Sequence, residues 1–393
     1  MSWKALRLGD IATEDRQIVV PDSPEAAMRP YLGLEEIESS TGRILSCGGG
    51  SAEGKSTTFA FDSSHVLYGK LRPYLNKVAL PDHKGRCSTE IIPLLPKDVD
   101  REFLAFILRT EIVVNAAMSE KTGSRMPRAD MDALLDFEIS IPETSTQQRQ
   151  IVASLKAQLA EVETARQAAK GQLSNVALLR DRLMRQGFDA LHDAPRRVLG
   201  DWAKTTSGST PSRGDKRYWS SADIPWVKTG EVAFAPITMT EESISRQALK
   251  ECSLTLLPPQ TVLIAMIGQG KTRGQSAILQ IEATTNQNCF AILPNETWNA
   301  EYLYHWLMAS YEDLRALSAS RGGSQSALNG ALLNALEIPA PGIDEQQRII
   351  NRLKSQLAEV TAIHQAAAAQ LAEIECLPKR ILAQAFVAQG DAP

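Results

Sequence analysis

The stretch "QQRQIVASLKAQLAEV", residues 147–162, returns as "QQRIINRLKSQLAEV" at residues 346–360. From there the two copies stay in register towards the end of the chain. Leu155 pairs with Leu353, Val162 with Val360, Leu173 with Leu371 and Phe188 with Phe386, an offset of 353 − 155 = 198. Self-similarity at a fixed offset marks a duplicated unit and decides the architecture before any single residue is read. Weaker echoes precede each copy. "LRLGDIA" at 6–12 resembles "RVLGDWA" at 197–203, and "DFEISIP" at 136–142 resembles "ALEIPAP" at 335–341. The chain therefore reads as a globular unit, a helix, a second globular unit and a second helix.

Alanine, glutamine, leucine and glutamate dominate the repeated stretches, and all favour helix. Leu155, Val162, Ala169, Val176 and Leu183 recur every seventh residue, with Val152, Leu159 and Leu173 in the companion seam and Arg166 and Arg180 interrupting it. The second copy places Leu353, Val360, Ala367, Ile374 and Ile381 on one seam and Ile350, Leu357 and Leu371 on the other. Heptads of this kind predict two coiled-coil helices packed on each other. His364 stands where Arg166 stands, and both are expected as seam or partner contacts. Pro378 stands where Arg180 stands and should kink or break the second helix.

The globular units differ in texture. "HVLYGKL", "TEIIPLLP", "TVLIAMIG" and "NCFAILP" are strand-like runs between Gly, Pro and Asn, whereas "REFLAFILRTEIVVNAAM" and "AEYLYHWLMASYEDLRALS" are amphipathic helices. The fold class is α+β, two related mixed units with a helix after each. The expected boundaries are 1–144 and 193–343 for the units, and 145–192 and 344–393 for the helices. The 393 residues have an ordinary apolar and charged balance, carry a net charge of −4 and show no run of membrane-spanning length. The first residues lack an apolar signal core, and the five cysteines are scattered without a C-x-x-C pair, which predicts free thiols in a reducing cytoplasm. The five histidines form no metal-binding spacing, and no metal site is expected.

One motif argues for an enzyme. Gly49 to Ser56 fits G-x-x-x-x-G-K-[ST], the loop that cradles nucleotide phosphates, with Lys55 and Ser56 in the key positions. That loop needs a helix after it, to supply N–H donors and dipole. Here Thr57, Thr58, Phe59 and Phe61 favour a strand instead. A second near-match, Gly270-Lys271-Thr272, has Ala265 where the first glycine belongs and is also followed by strand-like sequence. No dinucleotide-binding glycine motif, nucleophile elbow or adenine-methyltransferase motif is present. The expectation is a binding protein, not a catalyst.

Basic and polar loops lie between the strands. The first unit offers Lys70, Arg72, Tyr74, Asn76 and Lys77, and then Lys121, Arg125 and Arg128. The second offers Arg213, Lys216, Arg217 and Tyr218, then Gln269, Lys271, Arg273 and Gln275, then Arg321 and Gln325. Arg, Lys, Gln and Asn read base edges, and Lys and Arg hold phosphates, so these are the candidate DNA-binding residues.

At these loops the sequence resembles the specificity (S) subunit of type I restriction-modification systems, over almost its whole length. "SGSTPSRGDKRYWSSADIPWVKTGEV", "VLIAMIGQGKTRGQSAIL" and "ATTNQNCFAILP" are similar to one version of that family's target-recognition domain. "VLYGKLRPYLNKVAL", "CSTEIIPLLP" and "KTGSRMPR" are similar to another. "EISIPETSTQQRQIV" and "EIPAPGIDEQQRIINRL" resemble its hinge into the long helices. Thr146 departs from the Glu often found there, which the second copy keeps as Glu345. The resemblance implies two target-recognition domains separated by antiparallel spacer helices, each domain reading half of a bipartite DNA sequence. It also implies two methylation subunits docked on the helices, carrying S-adenosylmethionine and methylating adenine N6, and restriction subunits using ATP and Mg. A helix from Gln147 to Gln186 would be on the order of 60 Å long, more than one DNA turn of about 34–36 Å, which predicts an unread gap in the target. Since adenine leaves the stack to be methylated, the pocket that receives it is expected in the partner. The rivals are a nucleotide hydrolase, a coiled-coil scaffold with two protein-binding heads, and an orphan S chain without restriction.

Overall fold

The structure is a computed structural model that describes residues 2–46, 56–118, 126–220, 223–268, 270–319 and 327–386. The chain forms two compact units, Met1–Lys170 with Ala369–Pro393, and Gly171–Ala368.

In the first unit Trp3–Arg7 pairs antiparallel with Glu138–Pro142. One four-stranded sheet runs in the order Ala12–Glu14, Ile91–Pro96, Val66–Gly69, Val78–Ala79, and another in the order Ile18–Val19, Thr58–Phe61, Gly85–Ser88, Tyr31–Leu32. The second unit repeats the plan. Arg196–Val198 pairs with Glu337–Pro339. A five-stranded sheet runs Thr205–Ser207, Cys289–Ile292, Val262–Ala265, Ser276–Leu279, Pro236–Ile237, beside a three-stranded sheet of Glu242–Ile244, Ile224–Val227 and Thr284–Thr285. The strand-like runs of the sequence are all strands. Thr58–Phe61 and Ser276–Leu279 are the strands that follow the two near-matches to a phosphate loop. Gly49 to Lys55 lie outside the described residues, but the element after them is a strand, so the phosphate-loop reading lacks its helix.

Each amphipathic stretch is two helices rather than one: Arg101–Leu108 and Glu111–Met118 in the first unit, Ala300–Ala309 and Tyr311–Ala319 in the second. The first break falls at Arg109 and Thr110. There the Thr110 hydroxyl donates to the Ile107 carbonyl at 2.6 Å, a local bond that competes with the helical ladder. Ser310 occupies the second break.

The repeated stretches are the long helices Ser145–Asp189 and Ile343–Ala385. In the first unit, Val152, Leu155 and Leu159 of the first long helix share a core with Ile381, Leu382 and Ala385 of the second. In the second unit, Ile350, Leu353 and Leu357 share a core with Met184 and Phe188. The start of one helix thus meets the end of the other, and within each unit they run antiparallel. The aromatic closures match too: Phe103 packs on Phe386 with ring centroids 5.4 Å apart, and Tyr302 on Phe188 at 5.5 Å.

Three expectations for the helices need correction. Of the kink or break expected at Pro378, the break does not occur: the second helix continues to Ala385, and Leu382, one turn on, is anchored in the first unit's core. The missing N–H removes one rung of the ladder, which that packing tolerates. His364 is exposed rather than a seam residue, because its polar ring nitrogens stay in water. Arg166 is half-buried and held by Glu163, Nε to Oε2 2.8 Å. The third concerns register. Gln148 and Gln346 are both buried and do the same job, an offset of 346 − 148 = 198. The Gln148 amide accepts from the Asp100 N–H at 3.0 Å and donates to the Pro142 carbonyl at 3.2 Å. The Gln346 amide accepts from the Asn299 N–H and donates to the Thr297 and Pro341 carbonyls, all at 2.8 Å. In this register Gln147, not Thr146, stands opposite Glu345. An ion pair repeats beside each glutamine, Lys156 to Glu102 at 2.6 Å and Lys354 to Glu301 at 2.9 Å.

Candidate nucleic-acid interface

The first unit brings two separated candidate stretches together. The Arg72 N–H donates to the Pro127 carbonyl at 2.7 Å, and the Ala129 N–H to the Lys70 carbonyl at 2.8 Å. Lys70, Arg72 and Arg128 therefore share one ledge. Arg72 and Asn76 both have left-handed backbone, φ 52° and 49°, on either side of the tight turn Pro73–Leu75, whose Tyr74 is 52% exposed. Non-glycine residues enter that region at a cost, which marks a turn fixed by its surroundings.

Not every candidate on this ledge faces outward. The Asn76 side-chain nitrogen donates to the Arg109 carbonyl at 2.7 Å, and the Lys77 ammonium to the Leu34 carbonyl at 2.6 Å. Both polar ends are engaged inside the fold. Arg128 is exposed but forked on Glu90, with Nε 3.1 Å from both carboxylate oxygens; that pairing raises its pKa. Lys121 and Arg125 lie outside the described residues.

The second unit presents its basic loop in a more braced form. The Arg213 guanidinium lies 3.9 Å from the Trp219 ring centroid and 5.1 Å from that of Trp226, and it is paired with Glu242. Stacking of this kind holds a planar cation in one orientation. Glu242 also receives Lys228 at 3.2 Å, and the two cations keep its carboxyl below its usual range. Arg217 is forked on Asp215, Nη2 to Oδ2 2.6 Å, which raises its own pKa. The Tyr218 hydroxyl donates to Glu251 at 3.0 Å, and that bond pushes the phenol up to about 12. Lys216 is exposed.

The second loop, between Val262–Ala265 and Ser276–Leu279, carries Lys271 exposed and Arg273 and Gln275 half-buried. Gln269, Arg321 and Gln325 lie outside the described residues. The sequence reading missed the side chains that shape these loops: Trp219, Trp226 and Glu242 around Arg213, and Tyr311 and Arg315 behind Lys271. It also missed Arg109, whose guanidinium donates to the Val78 carbonyl at 3.1 and 2.6 Å and whose pKa burial pulls down to about 10. The signal for the tryptophans was present, since they flank the quoted basic loop. Nothing local marked the others.

Among the described residues no cluster of His, Cys, Asp and Glu is arranged to hold a metal ion, and no helix is long and apolar enough to cross a membrane. Among the described residues the arrangement is that of two polar loop surfaces on a duplicated frame, with Arg128, Arg213 and Arg217 each paired with a carboxylate.

Residues 2–169 and 196–373 match the family described as the type I restriction modification DNA specificity domain. The chain is 28% identical over 158 residues to the EcoR124I/EcoR124II specificity subunit of Escherichia coli, covering 40% of this chain and 39% of that protein. It is 34% identical over 154 residues to the MjaIX specificity subunit of Methanocaldococcus jannaschii, covering 38% and 35%. The matches thus span about two fifths or less of the length of these relatives. In fold it is similar to a chain from a solved structure concerned with complex assembly and conformational transition of the type I R-M system, at TM-score 0.76 and 22% identity over 99% of this chain and 98% of that one. It is also similar to the HsdS subunit from Thermoanaerobacter tengcongensis, at TM-score 0.62 and 21% identity over 99% and 97%. With both copies of the repeat matched, the chain belongs to the type I restriction modification DNA specificity family.

Proposed function

We propose that this chain is the DNA-reading subunit of a type I restriction-modification enzyme, and that each unit reads one half of an asymmetric, gapped duplex target. The observation that carries the reading is the pairing of a repeated frame with unlike loops. The buried glutamine, its neighbouring ion pair and the helix ends recur at an offset of 198 or 199, from Lys156 to Lys354 and from Glu102 to Glu301, whereas the basic residues of the loops do not. A frame repeated with divergent loops suits one docking geometry used on two different sequences. The net charge of −4 fits a chain that shares the phosphate-holding surface with its partners.

In this reading the chain itself catalyses nothing. Two methylation subunits dock on the long helices and hold S-adenosylmethionine, and restriction subunits supply ATP- and Mg-dependent cleavage. The first long helix, 45 residues or about 68 Å at ~1.5 Å per residue, sets the unread gap. The deciding experiment reads the N6-methyladenine pattern of host DNA by single-molecule sequencing, with and without the gene. A two-part gapped motif that vanishes with the gene is the expected result. An unchanged pattern would refute the reading and favour a scaffold with protein-binding heads. Inserting about two helical turns into one long helix should then lengthen the gap while leaving both halves of the motif intact.

A further inference from the structure

The loop that carries Lys271, Arg273 and Gln275 is built to be loose. It contains Gly268, Gly270 and Gly274, with Gly268 at φ 143° and Gly274 at φ 86°. Glycines of this kind lose the most conformational freedom on ordering, and the loop's own backbone bonds gather at its far end, Gly274 N–H to the Ala265 carbonyl at 2.8 Å and Gln275 N–H to the Thr272 carbonyl at 3.0 Å. Two side chains of the helix Tyr311–Ala319 hold it from behind. The Tyr311 hydroxyl donates to the Lys271 carbonyl at 2.6 Å. One Arg315 guanidinium nitrogen donates to the Gly270 carbonyl at 2.9 Å, the Arg273 carbonyl at 3.1 Å and the Tyr311 hydroxyl oxygen at 3.1 Å. The Tyr311 ring is fixed edge-on to Phe234, with centroids 5.2 Å apart. Gly274 comes so near that a Cβ there would lie 3.4 Å from the Tyr311 ring and 3.5 Å from the Arg315 chain.

The consequence is electrostatic as well as mechanical. Three carbonyl oxygens of the loop turn back to a phenol and a guanidinium. They are therefore not turned towards a phosphate, which they would repel. The loop's outward cation is the exposed Lys271, on a backbone held from behind at three carbonyls. We propose that Tyr311 and Arg315 are positioning residues for base selection: they touch no DNA, and they set the conformation from which this loop reads its half of the target. This rests on the DNA-reading function proposed above.

Two readouts on the full chain separate the two claims. Tyr311→Phe removes one hydroxyl and keeps the ring, and Arg315→Lys keeps the charge but cannot span the same carbonyls. In both variants, hydrogen exchange of the amides of residues 270–275 should speed up about tenfold while the strands on either side stay protected. In cells that also supply the methylation subunits, the methylation motif should keep one half intact. It should lose selectivity about tenfold at one or more positions of the other half. Unchanged exchange would overturn the clamp whatever the DNA result. Faster exchange with an unchanged motif would overturn its role in selection, and equal loss at both halves would do the same, because a positioning residue acts on its own half. If the native chain directs no gapped motif at all, the DNA-reading function itself falls, and exchange alone reports the clamp.

Discussion

The two units share a skeleton and differ in how they hold their cations. In the first, Lys70 and Arg72 lie on a ledge stitched by backbone bonds to the Pro127–Ala129 segment, and an ion pair to Glu90 holds Arg128. In the second, Arg213 is stacked on two tryptophans, Arg217 is forked on Asp215, and Arg315 grips the glycine loop. Beneath these differences, the pairs Gln148 and Gln346, Lys156 and Lys354, and Phe386 and Phe188 do identical work. The loops and the strand make-up of the sheets diverge, while these contacts between the helices and the sheets are kept.

The largest effect expected from breaking this pattern is on the shared core. Leu382→Ala should cost about 2–5 kcal/mol, since it empties a well-packed position. Although Leu382 lies near the end of the chain, protection should be lost in Arg101–Leu108 and not in Ala300–Ala309, as followed by hydrogen exchange under denaturant. Next come the glutamines. Gln346→Ala should destabilise the second unit by about 1–3 kcal/mol, because the Asn299 N–H and two carbonyls lose their partner. Gln148→Ala should do less in the first unit, where only two bonds are lost. Denaturant melts of the two variants would rank them.

A third prediction uses pH. Cys87 and Cys289, one in each unit, are buried, and burial pushes each thiol from 9.0 up to about 12. The folded state keeps both protonated, so their contribution is complete below pH ~9 and is lost as the pH rises towards 12. The same thiols should resist alkylation while exposed Cys376 reacts at once. The order in which Cys87 and Cys289 become reactive in urea then reports which unit opens first. The smallest structural effect is expected from Glu90→Gln and Asp215→Asn, which free exposed Arg128 and Arg217 without moving the melting temperature. Each should instead strengthen binding to nonspecific duplex and steepen its salt dependence by about one unit of log–log slope.

The frame was legible because its causes are local and periodic. Heptads every seven residues, a 198-residue offset and short β-rich runs between turns are all written in sequence order. The loops were half legible. Residue type alone nominated Lys70, Arg72, Arg213 and Lys271 as candidates, but it could not show that the ends of Asn76 and Lys77 turn inward to backbone carbonyls. Those partners, Arg109 and Leu34, lie 33 and 43 residues away. Arg315 was illegible for the same reason, since it acts on a loop more than 40 residues earlier. The one-residue shift between the "QQR" words and the buried glutamines came from matching letters where burial sets the register.

One feature of the frame bears on how the protein is made. The second unit, Gly171–Ala368, is a continuous run of chain, but the first needs Ile381, Leu382 and Phe386 to close its core. A ribosome delivers residues 1–170 first, yet that unit must wait for residues 381–386, made after the whole of the second unit. Assembly during synthesis therefore inverts the order of the sequence. The second unit can settle while the first still has apolar surface exposed, and a premature stop within the last helix harms the domain made earliest.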